Sequence, residues 1–102
     1  MNVANLQLQG LLMAVASLNQ MLVAKGILSD HDIDLALRKA EANLTGEERL
    51  FEDLPPANRD AVCFPIRLLI AANNARSQDS IPSFTELSRS VGLNKEPYGD
   101  QA

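Results

Sequence analysis

The stretch LQLQGLLMAVASLNQMLVAKG, residues 6–26, decides the fold class. Its leucines and valines recur at alternating intervals of three and four residues, which is the period of an α-helix with one apolar face. Gly26 follows Lys25, and a glycine after a basic residue is typical of the carboxyl-terminal end of a helix. The stretch therefore predicts a helix of about five turns that ends at Gly26.

The apolar face of this helix is the candidate interaction surface. Residues 1–24 carry no charged side chain, which predicts that they form the most buried part of the chain. The heptad-like seam is too short for a coiled coil to be the leading interpretation, so packing inside a bundle is one alternative. Self-association as a homodimer, or binding to another protein, is the second, because so short a chain has little other surface to cover this face. The candidate interface comprises Leu8, Leu11, Leu12, Val15, Leu18 and Leu22.

The chain's one histidine lies among aspartates in LSDHDIDLALRKAE, residues 28–41. Ser29 and Asp32 have the spacing of a capping box, which predicts the start of a second helix. Asp34 can pair with Arg38 one turn later, and first-turn carboxylates suit the helix dipole. The cluster is therefore explained without a metal ion, and His31 is predicted to face solvent. The predicted buried stripe of this helix comprises Ile33, Leu37 and Leu44, with Ala36 and Ala40.

A third long helix is predicted for RDAVCFPIRLLIAANNAR, residues 59–76. Pro55 and Pro56 end a short segment before it, and Asn58 is the predicted N-cap. Pro65 lies inside the helical pattern, where it either kinks the helix or marks its true start. The predicted apolar stripe comprises Val62, Ile66, Leu69 and Ile70 with Phe64 at its flank, and Arg67 is expected to pair with an acidic residue from 47–60.

The last predicted helix is short. Ser83 and Glu86 have capping-box spacing, and Gly92 is expected to end the helix. These patterns predict an all-α fold, a small bundle of three main helices plus one or two short helices with no sheet. We expect one helical domain over residues 1–93 and a flexible tail over residues 94–102.

Length and composition restrict the classes of function. A chain of 102 residues with a net charge of -4 is the size of one domain and is poorly suited to bind nucleic acid nonspecifically. Its single cysteine, Cys63, cannot form an intramolecular disulfide, so a reducing cytoplasm is predicted. The longest run without a polar side chain, residues 10–16, is far shorter than the roughly 20 residues of a membrane-spanning helix, so no membrane association is predicted.

The chain offers few groups for catalysis. Cys63 and His31 could form a thiol nucleophile and its base only if the fold brought their two helices together. One histidine and one thiol also make a poor ligand set for zinc or iron. We therefore predict no catalytic, cofactor-binding or metal-binding residues and no enzymatic activity, and we leave a small-molecule pocket between helices open.

Residues 84–94, FTELSRSVGLN, resemble the first helix and turn of a helix-turn-helix unit, with Gly92 at the turn and Asn94 capping a following helix. This resemblance implies a DNA-binding or regulatory protein that uses residues 83–98, and it is the alternative function. The following segment, KEPYGDQA, is unlike a recognition helix that contacts bases in the major groove, because it contains one lysine together with Pro97 and Gly99.

Residues 18–37, LNQMLVAKGILSDHDIDLAL, resemble the helix-turn-helix hairpins in the amino-terminal domains of secretion and pilus ATPases. The resemblance is carried by Leu22, Val23, Gly26, Ile27 and Leu37. Ser17 and Asn19 stand where that family typically has an arginine and a glycine near its nucleotide site, and no second copy of the motif follows. The resemblance therefore implies hairpin geometry, and no binding residues are carried over from it.

Overall fold

The computed structural model describes residues 3–46, 55–75 and 80–94. Within these ranges all regular structure is helical and no strand occurs, which confirms the all-α fold class for this part of the chain. The helices are α1 (Val3–Ala24), α2 (Asp30–Thr45), α3 (Pro56–Ala75) and α4 (Phe84–Asn94). Residues 47–54, which hold most of the predicted short segment, and the predicted tail from residue 95 onward lie outside the described residues.

The third helix is the centre of the fold. Each of the other three helices in the described ranges makes its main contacts with α3. The buried core cluster comprises Leu12 and Ala16 of α1, Leu68, Leu69 and Ala72 of α3, and Leu87 of α4. Half-buried Phe64 and Phe84 pack against this cluster with their rings edge to face, 6.3 Å between centroids. Because α3 lies between its neighbours, it is the element that turns separate helices into one core.

The end of α1 is a glycine cap, as the sequence predicts. Gly26 has a φ of 74°, a left-handed conformation that favours glycine. The Gly26 N–H donates to the carbonyl of Val23, and the Ile27 N–H donates to the carbonyl of Leu22, each at 3.0 Å. This pair of bonds is a Schellman motif, and it turns the chain sharply toward α2.

The start of α2 is the predicted capping box. The Asp32 N–H donates to Ser29 Oγ at 3.0 Å, and the Ser29 N–H donates to Asp32 Oδ2 at 2.9 Å. The bond from the Ser29 N–H, with a smaller contribution from the Ser29 hydroxyl, holds the pKa of Asp32 below its usual 3.8. A helix start stabilised in this way accounts for the local acidic cluster, and His31 is exposed as predicted.

The predicted buried stripe of α2 is only partly correct. Ile33 is buried, and Leu37 and Leu44 are half-buried. Ala36 and Ala40 are exposed, so the buried part of the stripe is narrower than predicted. A small apolar residue at helical spacing therefore widened the predicted stripe beyond the real contact.

The predicted N-cap of α3 is wrong. The helix begins at Pro56, and the carbonyl of Pro55 accepts bonds from the N–H groups of Asn58 and Arg59 at 2.9 and 3.0 Å. A proline suits the first helical position because its missing N–H would have no helical partner there. The helix runs on through Pro65 to Ala75, so Pro65 is internal and does not mark the start.

The buried side of α3 also differs from the predicted stripe. Leu69 is buried as expected, whereas Val62 is exposed and Ile66 and Ile70 are half-buried. Leu68 is fully buried, although it is not part of the predicted stripe. Because α3 has neighbours on several sides, its buried surface is wider than a single stripe.

Two polar contacts tie α2 to α3. Arg67 Nε of α3 donates to Glu41 Oε2 of α2 at 2.9 Å, and its Nη1 donates within α3 to Asp60 Oδ1 at 3.3 Å. Asp60 lies within the predicted range of acidic partners, and Glu41 lies outside it. Buried Asn73 also donates its side-chain amide to the carbonyl of Asp30 at 3.0 Å. The polar groups of α3 thus serve packing between helices.

The last helix has the predicted start and a different end. The Glu86 N–H donates to Ser83 Oγ at 3.2 Å, and the Glu86 carboxylate accepts from the Ser83 N–H at 3.4 Å, which completes the capping box. The helix continues through Gly92 to Asn94, so the expectation that Gly92 ends it is wrong. A glycine ends a helix when it takes a left-handed conformation, and Gly26 is the described glycine with a positive φ.

Candidate interaction surface

The first helix is far less buried than its composition predicts. Of its 22 residues only Leu12 and Ala16 are buried. The expectation that residues 1–24 form the most buried part of the chain is therefore wrong for the described residues. Burial needs a neighbouring element on the apolar side, and among the described helices the main neighbour of α1 is α3.

The six candidate interface residues are divided between two sides of α1. Leu12 is 4% exposed and belongs to the core cluster, and half-buried Val15 packs against it. Leu11 and Leu18 are 62% and 64% exposed, and Leu8 is 36% exposed. The remaining candidate, Leu22, is half-buried.

Helix geometry explains this division. Each residue turns the helix by about 100°, so Leu12 and Ala16 lie together on the side toward α3. Leu11 and Leu18 are seven residues apart, close to two full turns, and they form a line that points away from that side. We call Leu11 and Leu18, with Leu8 at the edge, the outer stripe.

The amino-terminal part of α1 is exposed on every side. All residues from 3 to 11 are exposed, including Val3 at 67% and Leu6 at 50%. We call residues 3–10 the overhang. Val3 and Leu6 are not among the predicted contact residues, although a helix about 33 Å long exceeds what one crossing partner can cover.

Length and composition would also allow α1 to cross a membrane. Among the described residues it is the one helix that is long and apolar enough by these two criteria. A core helix of a soluble protein can meet the same criteria, and two residues of α1 are buried against the rest of the chain.

The possible thiol nucleophile is enclosed in the core. Cys63 is fully buried in α3, and burial raises the pKa of its thiol. Neighbouring Arg67 acts in the opposite direction, to a smaller extent. His31 is exposed in the first turn of α2. A buried thiol that stays protonated is a poor nucleophile, and His31 is on another helix.

A metal site and a small-molecule pocket are the two other kinds of site to consider. No group of three or more possible metal ligands occurs among the residues that the structure describes. A shallow depression on α4 is open to solvent and is lined by Glu86, Arg89, Ser90 and Leu93. Such a surface lacks the enclosure typical of small-molecule sites.

The structure does not have a turn at the position that the resemblance to a helix-turn-helix unit implies. Gly92, the residue expected at the turn, lies inside the last turn of α4. The segment expected to read bases begins beyond Asn94, outside the described ranges.

No family model, curated protein or solved structure matches this chain. The function is therefore inferred from the residues of the chain itself.

Proposed function

We propose that the protein is a self-associating helical module that forms a homodimer through the outer stripe of α1. The observation that supports this proposal is the exposure of Leu11 and Leu18, each above 60%, on a helix without a charged side chain. Exposed apolar residues in a contiguous patch are typical of interaction surfaces. Leu12 and Ala16 hold the opposite side of α1 on α3, so the chain presents the stripe on a fixed support.

Burial of the outer stripe supplies part of the free energy that association needs. Burying the exposed parts of Leu11 and Leu18 in both chains would contribute about 4–8 kcal/mol, since full burial of one leucine contributes about 1.5–3 kcal/mol. Association costs about 4–15 kcal/mol in lost freedom of motion. The outer stripe alone is therefore marginal, and a stable dimer also needs apolar contacts from the overhang.

A second copy of the chain is the occupant that the charge pattern favours. The charged side chains of a different partner would lose their hydration on binding to α1. No residue from 3 to 24 carries a charge that could pair with them. The α1 helix of a second copy has the same uncharged surface and imposes no such penalty. A two-fold arrangement also covers both stripes at once.

The test replaces Leu11 and Leu18 together by glutamate. We expect the wild type to be a dimer by light scattering across a tenfold concentration range and the double variant to be a monomer with unchanged helical content by circular dichroism. The matched control is Leu35→Glu on α2, which is 53% exposed and away from the stripe, and it should leave the mass unchanged.

Four results would contradict the proposal. The first is a wild-type monomer throughout the concentration range, and the second is a double variant that remains dimeric. Loss of helical content in the double variant alone would place the stripe in the internal core. A monomer that sediments with lipid vesicles would identify a membrane as the occupant of α1.

The proposal includes the finer sequence predictions. The architecture is a bundle of three main helices with one or two short ones, and the protein works without catalytic residues or a cofactor. A cytoplasmic location is supported by the free, buried thiol of Cys63, which suits a reducing compartment. The net charge of -4 supports a protein partner over nucleic acid.

A further inference from the structure

The charge at one end of the outer stripe distinguishes two ways of pairing α1 helices. Leu11, Leu18 and Lys25 follow one another at intervals of seven residues, and the Lys25 N–H bonds to the carbonyl of Met21 as in the helix. Lys25 is therefore close to the line of the stripe, and it is exposed. In a parallel, in-register pair the two Lys25 ammonium groups would face each other, which is unfavourable.

An antiparallel pair avoids this repulsion. When Leu11 lies opposite Leu18 of the partner subunit, Lys25 lies opposite Ala4 of the partner subunit, an uncharged residue. The two ammonium groups are then about 30 Å apart. The seven-residue interval of the stripe also matches in this direction, because Leu11 and Leu18 of each chain meet Leu18 and Leu11 of the partner subunit.

The position of the overhang favours the same direction. Residues 3–10 are all exposed in the described part of the chain, whereas residues 19, 20, 22 and 23 are half-buried. An antiparallel pair lays the overhang of one chain along the supported end of the other α1. A parallel pair would join the two overhangs to each other and leave most of their surface in water.

We infer that two α1 helices pair antiparallel, with Leu11 of each chain against Leu18 of the partner subunit. This inference rests on the proposed function, because it specifies the geometry of the proposed dimer. Helices pack about 8–10 Å apart, which brings opposed residues of the stripe within reach of a disulfide. Two copies of Leu11 would instead be offset by about 10 Å along the axis, too far for one.

Cysteine cross-linking tests the direction. Leu11→Cys and Leu18→Cys chains are oxidised separately and as an equal mixture, after light scattering has established their mass under reducing conditions. We expect disulfide-linked dimers in the mixture and at least about tenfold less in either variant alone, because only the mixture places two thiols within bonding distance. The controls are the wild type, whose Cys63 is fully buried, and Leu35→Cys on α2.

A second pair keeps both leucines in place. Ala4→Cys and Lys25→Cys chains occupy opposed positions in the antiparallel pair, so they should also cross-link only when mixed. This pair decides the direction if either leucine replacement weakens association.

Each outcome bears on a different statement. Dimers in which Leu11→Cys cross-links to itself would overturn the antiparallel arrangement and leave the proposed homodimer intact. Dimers that neither pair can cross-link would exclude the outer stripe from the interface and overturn the inference. A monomeric wild type would overturn the proposed function and the inference together.

Discussion

The first and third helices differ in burial, and the difference is opposite to what their charge content suggests. α1 has 22 residues and no charged side chain, yet it buries only Leu12 and Ala16. α3 has 20 residues and carries Arg59, Asp60 and Arg67, and it contributes the largest share of the buried residues. The buried residues of α3 are Cys63, Leu68, Leu69, Ala72 and Asn73.

The number of neighbouring elements accounts for the difference. Among the described helices, α3 contacts the other three, whereas α1 makes its main contacts with α3. Apolar composition determines how much free energy burial would contribute, and topology determines whether the chain supplies a covering surface. An uncharged helix at the edge of the fold therefore retains apolar surface that a partner can use.

The largest test of this comparison replaces one leucine in each helix. Leu68→Ala should lower the free energy of unfolding by about 2–5 kcal/mol, because Leu68 is fully buried and its removal leaves a cavity. Leu11→Ala should change it by less than about 0.5 kcal/mol in the monomer, because Leu11 is 62% exposed. Urea unfolding of dilute protein, followed by circular dichroism, measures both.

Equal losses for the two variants would contradict the comparison, because they would mean that Leu11 is buried within its own chain. If Leu68→Ala does not fold, Leu69→Ala, which removes a side chain 9% exposed, provides a milder measurement.

The next test concerns the charges that α3 has and α1 lacks. A double-mutant cycle with Arg67→Met and Glu41→Gln should give a coupling of roughly 1 kcal/mol, since the pair is half-buried and joins two helices. The coupling should fall at high salt.

The matched control for this cycle is the Asp34 and Arg38 pair, whose 2.8 Å contact lies within α2. Its coupling should be smaller, because Arg38 is mostly exposed and the pair joins no second element. Equal couplings would show that the Arg67–Glu41 pair gains no extra stability from joining two helices.

The helix caps could be predicted from sequence because they are local. Ser29 with Asp32, and Ser83 with Glu86, are each three residues apart, and Gly26 follows the last turn of its own helix. The errors at Asn58 and Gly92 have one cause. Each residue type permits a helix boundary without requiring one, and Pro56 and Asn94 define the actual bounds.

The direction in which each face points could not be predicted from sequence. The leucine spacing in α1 identifies the apolar positions, but Leu11 and Leu12 differ in exposure by more than fifty percentage points. This difference depends on where α3 crosses α1, which is a long-range property of the fold. Glu41 was missed as a partner of Arg67 for the same reason, since 26 residues separate them.

The smallest expected effect lies at the start of α2, the fully exposed end of the α1 to α2 connection. The Ser29 cap lowers the folded-state pKa of Asp32 below 3.8, so the folded chain binds this proton less readily than the unfolded chain. The stabilisation is complete above the unfolded pKa and is lost as the pH falls from 3.8 through the lower folded value.

In an NMR titration of the Asp32 carboxyl group, Ser29→Ala should raise the midpoint only part of the way, because the backbone N–H still donates. An Asp32 midpoint at or above 3.8 in the wild type would show that the capping box does not form in solution, and the sharp turn from α1 into α2 would then depend on Gly26 alone.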